Sequence, residues 1–343
     1  MRKTALLVIL LAALVPACGD DPAQPGPDAA VIDAAVPPGP IDVAGPLGRI
    51  DYAYALDVAS HDVTGETRSY VLASGALPPG LTLDASGTVA GTPLTSGVYP
   101  AVLHGEGPCA AEVCRLVVNL EIEVAPIILL SGYGPFAGVP ENPSYAGVEP
   151  LDATLIAGHD VRVLELVVEW DAAPDEYLAE YERLQPVLAI ASGVAMGENV
   201  VRLESLAHNL AEGEDVSGVV LNGPIDASGL DTLPSTLPLA DLLDLLVEGH
   251  GYPVAISDDA GTYLCNYLFY KLMARVLAEP AERQVLGGFV HVPGIEVVTA
   301  EEMTQAWVWM IEYLVAYRAD LGAKRRRPGD RAVVPTVHHA PRY

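Results

Sequence analysis

From Pro126 onward, the chain alternates short apolar runs with amphipathic segments, and this alternation constrains the fold more than any other feature of the sequence. The apolar runs are typical of buried strands and occupy residues 127–130, 161–170, 187–191, 254–257 and 285–292. The segments between them predict helices at 174–185, 238–248, 260–278 and from Thr299 onward. This order predicts an α/β domain over residues 126–323, with a mixed or parallel sheet sandwiched by helices. Its functional residues should lie in loops at the carboxyl ends of the strands.

Residues 47–125 have a different pattern, in which short β-type runs are separated by turns. The runs lie at 69–72, 87–90, 97–103 and 115–124 and predict a small all-β sandwich. Three turns, Leu77-Pro78-Pro79-Gly80-Leu81, 84–87 and Gly91-Thr92-Pro93, resemble those of immunoglobulin-like domains of bacterial surface proteins. The resemblance implies an Ig-like fold and says almost nothing about function.

The N-terminus has the order of a processing signal. Arg2 and Lys3 precede an apolar run at 5–14, and small residues lead to Cys18. The run is shorter than the roughly 18 residues that a spanning helix needs, so a signal peptide is predicted over 1–17. Cys18 after a small residue resembles the lipidation site of bacterial lipoproteins, although an ordinary signal peptide with a chance cysteine is the alternative. The expected location is extracytoplasmic, at the outer membrane or the periplasmic face of a bacterial envelope, with the bilayer bound through acylated Cys18.

The charge of the chain excludes one class of partner. It carries 45 Asp and Glu against 18 Lys and Arg, a formal net charge of -27. Nucleic-acid binding places cations on phosphates, so no nucleic-acid partner is expected for the main body. Residues 18–46 are rich in Pro, Ala and Asp and predict a disordered spacer. Residues 324–343 predict a basic disordered tail, with contact to anionic lipid or to the acidic body as its alternative role.

The four cysteines divide by their surroundings. Cys109 and Cys114 flank a turn between two predicted strands, and in an oxidising compartment they are expected to form a local disulfide. The alternative, half of a metal site, lacks nearby ligands, and no metal site is predicted. Cys265 then remains as a lone thiol in the first turns of a predicted helix, where the helix dipole favours a thiolate. The spacing alone is equally compatible with a buried structural cysteine.

Five sequence blocks resemble, in order, the motifs of pyroglutamyl peptidase I, also called pyrrolidone-carboxylate peptidase, a family of cysteine peptidases. The blocks are Gly132-Tyr133-Gly134-Pro135-Phe136-Ala137-Gly138 with Asn142-Pro143-Ser144, Leu203-Glu204-Ser205-Leu206-Ala207-His208-Asn209, Ser235-Thr236-Leu237-Pro238, Ala260-Gly261-Thr262-Tyr263-Leu264-Cys265-Asn266, and Phe289-Val290-His291-Val292-Pro293. Several blocks in order on the predicted strand and loop context are far more specific than one motif.

The resemblance implies a catalytic triad of Cys265, His291 and Glu204. It implies hydrolysis of the amide bond after an N-terminal pyroglutamyl residue, through a thioester and without a cofactor. Peptides with N-terminal pyroglutamate are therefore the expected partners, and no oligomeric state follows from the sequence.

The same resemblance implies a substrate pocket formed by Tyr133, Phe136, Asn142 and Tyr263. Tyr133 replaces the usual phenylalanine, so its hydroxyl needs a partner or solvent. Two segments that carry arginine in the family lack it here, at 193–198 and 210–215.

These departures leave two other hypotheses open. One is a catalytically weak or inactive surface lipoprotein that binds peptides or mediates adhesion. The other is a related amidase that acts on a different N-terminal group.

Overall fold

The computed structural model describes residues 39–108, 113–136 and 138–326. The predicted signal peptide, Cys18, most of the spacer and Cys109 lie outside these residues, as does the predicted tail beyond residue 326. Cys114 is disulfide-bonded, and Cys265 is a free cysteine.

The N-terminal unit is a pair of sheets packed on an apolar core. The four-stranded sheet has the order β1-β7-β6-β3 and the three-stranded sheet the order β2-β5-β4. The strands are β1 Ile41–Ala44, β2 Tyr54–Asp57, β3 Ser69–Gly75, β4 Leu81–Leu83, β5 Thr88–Gly91, β6 Gly97–Pro108 and β7 Val113–Val124. Alternate residues of β7, such as Leu116, Val118 and Leu120, point into this core. The predicted sandwich is thereby confirmed.

Strand β1 corrects the predicted end of the spacer. Residues 41–44 pair in parallel with β7, so they belong to the sheet and not to a disordered segment ending at residue 46. Val43 is 3% exposed because it packs in the sandwich core. This burial and the ladder of backbone hydrogen bonds offset the conformational entropy that is lost when the short strand is ordered.

The second unit is built on a seven-stranded mixed sheet of order β17-β12-β18-β11-β8-β10-β9. Its strands are β8 Ile127–Tyr133, β9 Leu155–Ile156, β10 His159–Leu166, β11 Leu188–Val194, β12 Val201–Glu204, β17 Val254–Ser257 and β18 Leu286–Val292. Strands β10, β8, β11 and β18 are mutually parallel, and β12 runs antiparallel to β18. Two small antiparallel pairs lie outside this sheet and join β13 Leu206–His208 to β16 Thr232–Pro234, and β14 Ala211–Glu214 to β15 Val220–Gly223.

Helices cover both faces of the sheet. They are α1 Pro143–Ala146, α2 Ala172–Leu184, α3 Leu239–Asp244 continued by a π-helical turn Leu245–Gly249, α4 Leu264–Leu277 and α5 Ala300–Arg326. Alternate residues of β8 face opposite layers: Ile127 and Leu129 pack with α2 and α4, whereas Ile128 and Leu130 pack with α3 and α5. The predicted mixed sheet between helices is confirmed.

The start of helix α5 follows its local sequence signal, whereas its end does not. The predicted capping box is present, since the Thr299 N–H donates to Glu302 Oε2 at 2.9 Å and the Glu302 N–H donates to Thr299 Oγ1 at 3.2 Å. Helix α5 ends at Arg326, so the predicted boundary of the tail at 323/324 lies inside the helix. Within residues 39–326, apart from the two short gaps, no helix is long and apolar enough to cross a membrane.

Candidate active site

The site lies where three parallel strands end. Tyr133 ends β8, Val194 ends β11, and His291 is the last but one residue of β18. Gly193 and His291 are paired across β11 and β18. This edge is the carboxyl end of the parallel part of the sheet, where α/β folds place their reactive loops.

The structure brings Cys265, His291 and Glu204 together. His291 Nδ1 lies 2.7 Å from Glu204 Oε1, and the His291 side chain also hydrogen-bonds to Cys265. Glu204 is fully buried and His291 is 6% exposed. Because Nδ1 faces the carboxylate, Nε2 is the ring nitrogen left for the thiol. The arrangement is that of a nucleophile, a base and a group that orients the base.

Cys265 stands at the second position of α4, directly after the turn that follows β17. Tyr263 precedes the helix in an extended conformation, with φ -93° and ψ -165°. The free amides and positive dipole end of the first turn favour a thiolate at this place. The sequence predicted this placement, although the helix begins at Leu264 and not at residue 260.

The electrostatics of His291 favour its protonated form. Burial alone would lower the pKa of this imidazole, but the adjacent Cys265 and Glu204 side chains outweigh burial and raise the pKa to about 9. At neutral pH the ring is therefore protonated on both nitrogens and positively charged. This is the state that an imidazolium–thiolate pair with the adjacent cysteine requires.

A small pocket opens beside the thiol. Its volume is about 100 Å³, and its lining comprises Tyr133, Phe136, Asn142, Val168, Val194, Tyr263, Leu264 and Cys265. All four residues predicted for substrate binding are therefore found around one cavity with Cys265. Val168 and Val194 were missed, because Val168 was read as an ordinary strand residue and Val194 as part of the turn at 193–198.

Two of the lining residues hold the walls in place. The Tyr133 hydroxyl is buried and donates to the Leu264 carbonyl at 3.0 Å, so it has the partner that its replacement of phenylalanine requires. Burial keeps the pKa of this hydroxyl well above its ordinary value, so it remains a donor. The Asn142 Nδ2 donates to Gly134 O at 3.0 Å, and its Oδ1 accepts from the Ser144 N–H at 3.1 Å. Asn142 thus orders the loop after β8 as well as lining the pocket.

The hairpin β14–β15 is hydrogen-bonded to the loop that carries the nucleophile. The Glu212 N–H donates to Thr262 O at 2.7 Å, and the Tyr263 hydroxyl donates to Glu214 O at 2.8 Å. Asn266 adds a third tie, because its Nδ2 donates to Leu210 O at 2.9 Å. The segment 210–215, which departs from the family pattern in sequence, therefore supports the loop and helix that carry Cys265.

Trp170 contacts both Tyr263 and the segment between β14 and β15, and it was not predicted. It is 1% exposed and packs edge-on against Tyr263, with ring centroids 5.1 Å apart. Its indole N–H donates to Val219 O, and its backbone N–H donates to Asp215 Oδ2, both at 3.0 Å. Tyr263, a wall of the pocket, is thus held between Trp170 and the hairpin.

Sequence reasoning also missed Arg202. Its Nε lies 3.4 Å from Glu204 Oε1, the oxygen that also faces His291.

Among the described residues, no group of three or more His, Cys, Asp or Glu side chains is arranged to hold a metal ion. His208, beside Glu204 in sequence, contacts the Asp258 carbonyl through Nε2 at 2.7 Å and plays a structural part.

Comparisons with known proteins agree with this geometry. The family model for pyroglutamyl peptidase matches residues 127–316, and a model for an Ig domain matches residues 46–106. The pyrrolidone-carboxylate peptidase of Halalkalibacterium halodurans is 34% identical over 200 residues, which is 55% of this chain and 98% of that protein. The pyrrolidone-carboxylate peptidase of Cupriavidus pinatubonensis is 36% identical over 169 residues, 48% of this chain and 77% of that protein.

Solved structures give the same result. Pyroglutamyl peptidase I from Bacillus amyloliquefaciens has a TM-score of 0.53 at 25% identity and covers 56% of this chain and 98% of its own. A mutant pyrrolidone carboxyl peptidase from Pyrococcus furiosus has a TM-score of 0.52 at 27% identity, covering 56% and 99%. The resemblance stated from the sequence blocks is confirmed. From the family match over 127–316 and the 98% coverage of the Halalkalibacterium halodurans relative, this chain belongs to the pyroglutamyl peptidase family of cysteine peptidases.

Proposed function

We propose that this chain hydrolyses the amide bond after an N-terminal pyroglutamyl residue, with Cys265 as nucleophile, His291 as acid and base, and Glu204 as the group that orients the imidazole. The observation that carries the proposal is the contiguity of the Cys265–His291–Glu204 relay with a small aromatic pocket. Neither the catalytic relay nor the pocket would specify this reaction by itself.

The chemistry follows from the positions of the groups. The Cys265 thiolate attacks the pyroglutamyl carbonyl carbon, and the His291 imidazolium gives its Nε2 proton to the leaving amine as the amide bond breaks. A thioester remains on Sγ. Neutral His291 then takes a proton from water, whose oxygen attacks the thioester and releases 5-oxoproline. Glu204 accepts from Nδ1 throughout and keeps the ring in one orientation.

The pocket explains why a lactam would be preferred to a free N-terminus. No carboxylate is among the described residues that line it. A free α-ammonium placed there would lose its water without gaining a carboxylate partner, which is costly. The neutral ring of pyroglutamate does not incur this cost, and the aromatic rings of Phe136 and Tyr263 line the cavity that would receive it.

The test is release of aminomethylcoumarin from pyroglutamyl-aminomethylcoumarin by the purified protein under reducing conditions. Turnover should disappear in Cys265→Ser while the circular dichroism spectrum is unchanged. Alanyl-aminomethylcoumarin, which has a free amine, serves as the substrate control and should not be cleaved. Binding of a pyroglutamyl peptide without turnover by the folded parent would refute the proposal and favour a binding protein.

We also propose that the protein is tethered outside the cytoplasm by a lipid on Cys18, as the sequence at 1–18 indicates. A lipid-anchored cysteine carries several acyl chains, and each buried CH₂ contributes about 0.8 kcal/mol to membrane binding. Metabolic labelling with a palmitate analogue should mark the parent and not Cys18→Ala, and globomycin should cause accumulation of the precursor. An unlabelled parent protein would contradict the anchor and leave the peptidase proposal unaffected.

A further inference from the structure

We infer that Arg202 is a positioning residue of the active site, which couples the orienting carboxylate Glu204 to the turn that presents Cys265. The inference rests on the proposed function, because it assigns a role within that reaction. Arg202 lies two residues before Glu204 on β12, so both side chains project from the same face of the strand. It is also paired in register with His291 on β18.

The first half of the argument is the contact with the carboxylate. Glu204 Oε1 faces His291 Nδ1 at 2.7 Å and Arg202 Nε at 3.4 Å. Glu204 is fully buried, and the Arg202 side chain is 21% exposed. A thiolate, an imidazolium and a carboxylate together carry one net negative charge, and the guanidinium neutralises it. Since buried charges are tolerated when they are paired, Arg202 stabilises the buried carboxylate of Glu204.

The second half is the contact with the nucleophile turn. Arg202 Nη2 donates to Ser257 Oγ at 2.6 Å and to the Asp259 carbonyl. Ser257 ends β17, and residues 258–263 lead from it into α4 and Cys265. The remaining nitrogen, Nη1, donates to Glu198 Oε1 at 3.2 Å. The planar guanidinium of Arg202 thus connects Glu204 with the turn that leads to Cys265. A lysine has a single side-chain nitrogen and could not make all of these contacts at once.

The sign of the expected pH effect follows from the charges around His291. The groups that face it are Cys265 from α4 and Glu204 from β12, with Arg202 behind Glu204 and Glu198 on the outer side of Arg202. The positive charge of the Arg202 guanidinium disfavours a positive charge on the nearby His291 ring. Removing it therefore raises the pKa of His291 and moves the alkaline limb of kcat/KM to higher pH.

The test compares three variants of the purified protein on pyroglutamyl-aminomethylcoumarin. Arg202→Gln should lower kcat about tenfold, the order of effect of one charge-assisted hydrogen bond, and move the alkaline limb up by about half a pH unit. Arg202→Lys should leave the limb at its parent position while kcat stays reduced, because the charge is kept and the planar guanidinium is lost. Arg275→Gln is the matched control, since Arg275 is 26% exposed and pairs with two carboxylates, Glu182 and Glu279, outside the site. It should change neither quantity.

A second readout separates this inference from the proposed function. The rate of Cys265 alkylation by iodoacetamide, followed by peptide mass spectrometry across the pH range in which His291 titrates, needs no turnover. A shift of the alkylation profile in Arg202→Gln, and not in Arg275→Gln, supports the inference. This holds even if the parent cleaves no pyroglutamyl substrate, a result by which the proposed function would fail and the inference would not. Unchanged limbs in both readouts, or a shift of equal size in Arg275→Gln, would overturn it.

Discussion

Gly193 sets the space available to the nucleophile, and Gly193→Ala is the sharpest test of the geometry of the site. A Cβ at position 193 would lie 2.5 Å from Cys265 Sγ and 3.1 Å from Phe289 Cζ. Carbon atoms in van der Waals contact are about 3.5–4.0 Å apart, and sulfur is larger, so Sγ would have to retreat by at least about 1 Å. Gly193 has an ordinary strand conformation, so an alanine is allowed there by the backbone and the effect is one of space.

The magnitude follows from that displacement. A misplacement of about 1 Å at a reacting atom costs about 100-fold in rate, so kcat for pyroglutamyl-aminomethylcoumarin should fall by about two orders of magnitude. The extra methyl group in a packed site should also lower the free energy of unfolding by about 1–3 kcal/mol. The loss of rate should therefore persist well below the unfolding transition, where the protein is fully folded.

The assay pairs turnover with urea unfolding, and Gly249→Ala is the matched control. A Cβ at Gly249 would meet no atom within 4 Å, so this variant should keep parental activity and stability. If Gly193→Ala retains kcat within about threefold of the parent, less than one kcal/mol of barrier, the thiol is not held against β11 and the reasoning is refuted.

Three further predictions concern other parts of the molecule. Ile50→Ala should lower the free energy of unfolding by about 2–4 kcal/mol in urea titrations, because Ile50 is 2% exposed in the core of the peptidase domain. The stabilisation contributed by protonated His291 should be complete below its ordinary pKa of 6.5 and be lost as the pH rises through about 9, which urea titrations against pH would measure. Trp170→Phe should raise KM severalfold without a comparable change in kcat, because Tyr263 loses support when the indole bond to Val219 is removed.

Each of these has a clear contrary result. A change below about 0.5 kcal/mol for Ile50→Ala, the usual scale of surface substitutions, would show that the N-terminal unit does not pack on the peptidase core. Stability that stays level across the His291 window, or that rises with pH, would show that the imidazole is not held protonated. Equal losses of kcat and kcat/KM in Trp170→Phe would place its effect on the transition state and not on the pocket wall.

The fold was predictable where the signal was local. Strand β17 was predicted at its observed bounds, and the start of α5 was fixed by a capping box of Thr299 and Glu302. Strand β1 was missed because its partner β7 lies more than 70 residues away, at Val118 to Glu121 opposite residues 41–44, so no short-range pattern marks it. Helix α4 was predicted four residues too early, since Gly261 has a positive φ of 76° that interrupts the apolar pattern with a turn.

The site was predictable only as far as the sequence blocks reached. Cys265, His291 and Glu204 stand in separate blocks, and their order along the chain was sufficient to place them together. Arg202 was missed because a single cation in an apolar strand has no signal of its own, and its partners Ser257 and Asp259 lie 55 and 57 positions away. Such contacts are created by the pairing of β12 with β17, which a sequence pattern does not show.

The two units of the chain are joined through more than a linker, and this bears on what a peptidase fragment can do. Only residues 125 and 126 separate β7 from β8, and Ile50 of the N-terminal unit is buried in the core formed by β8, α2 and α4. Arg49 and Arg162 both pair with Asp160, which is fully buried, at 2.6 Å and 2.9 Å.

A fragment beginning at residue 126 would lose Ile50 from the core and Arg49 from Asp160 at once. Removing one partner of a buried charge leaves an uncompensated charge, at a cost that can reach about 3–5 kcal/mol, although Arg162 would still compensate part of it here. We therefore expect the fragment 126–326 to unfold at lower urea concentration than the whole chain. Replacing Asp160 by Asn in the fragment should recover part of the difference, since the buried charge is then absent, whereas the same change in the whole chain should destabilise it. Equal stability of fragment and whole chain would show that the Ig-like unit is a separable attachment and not part of the structural support of the active-site sheet.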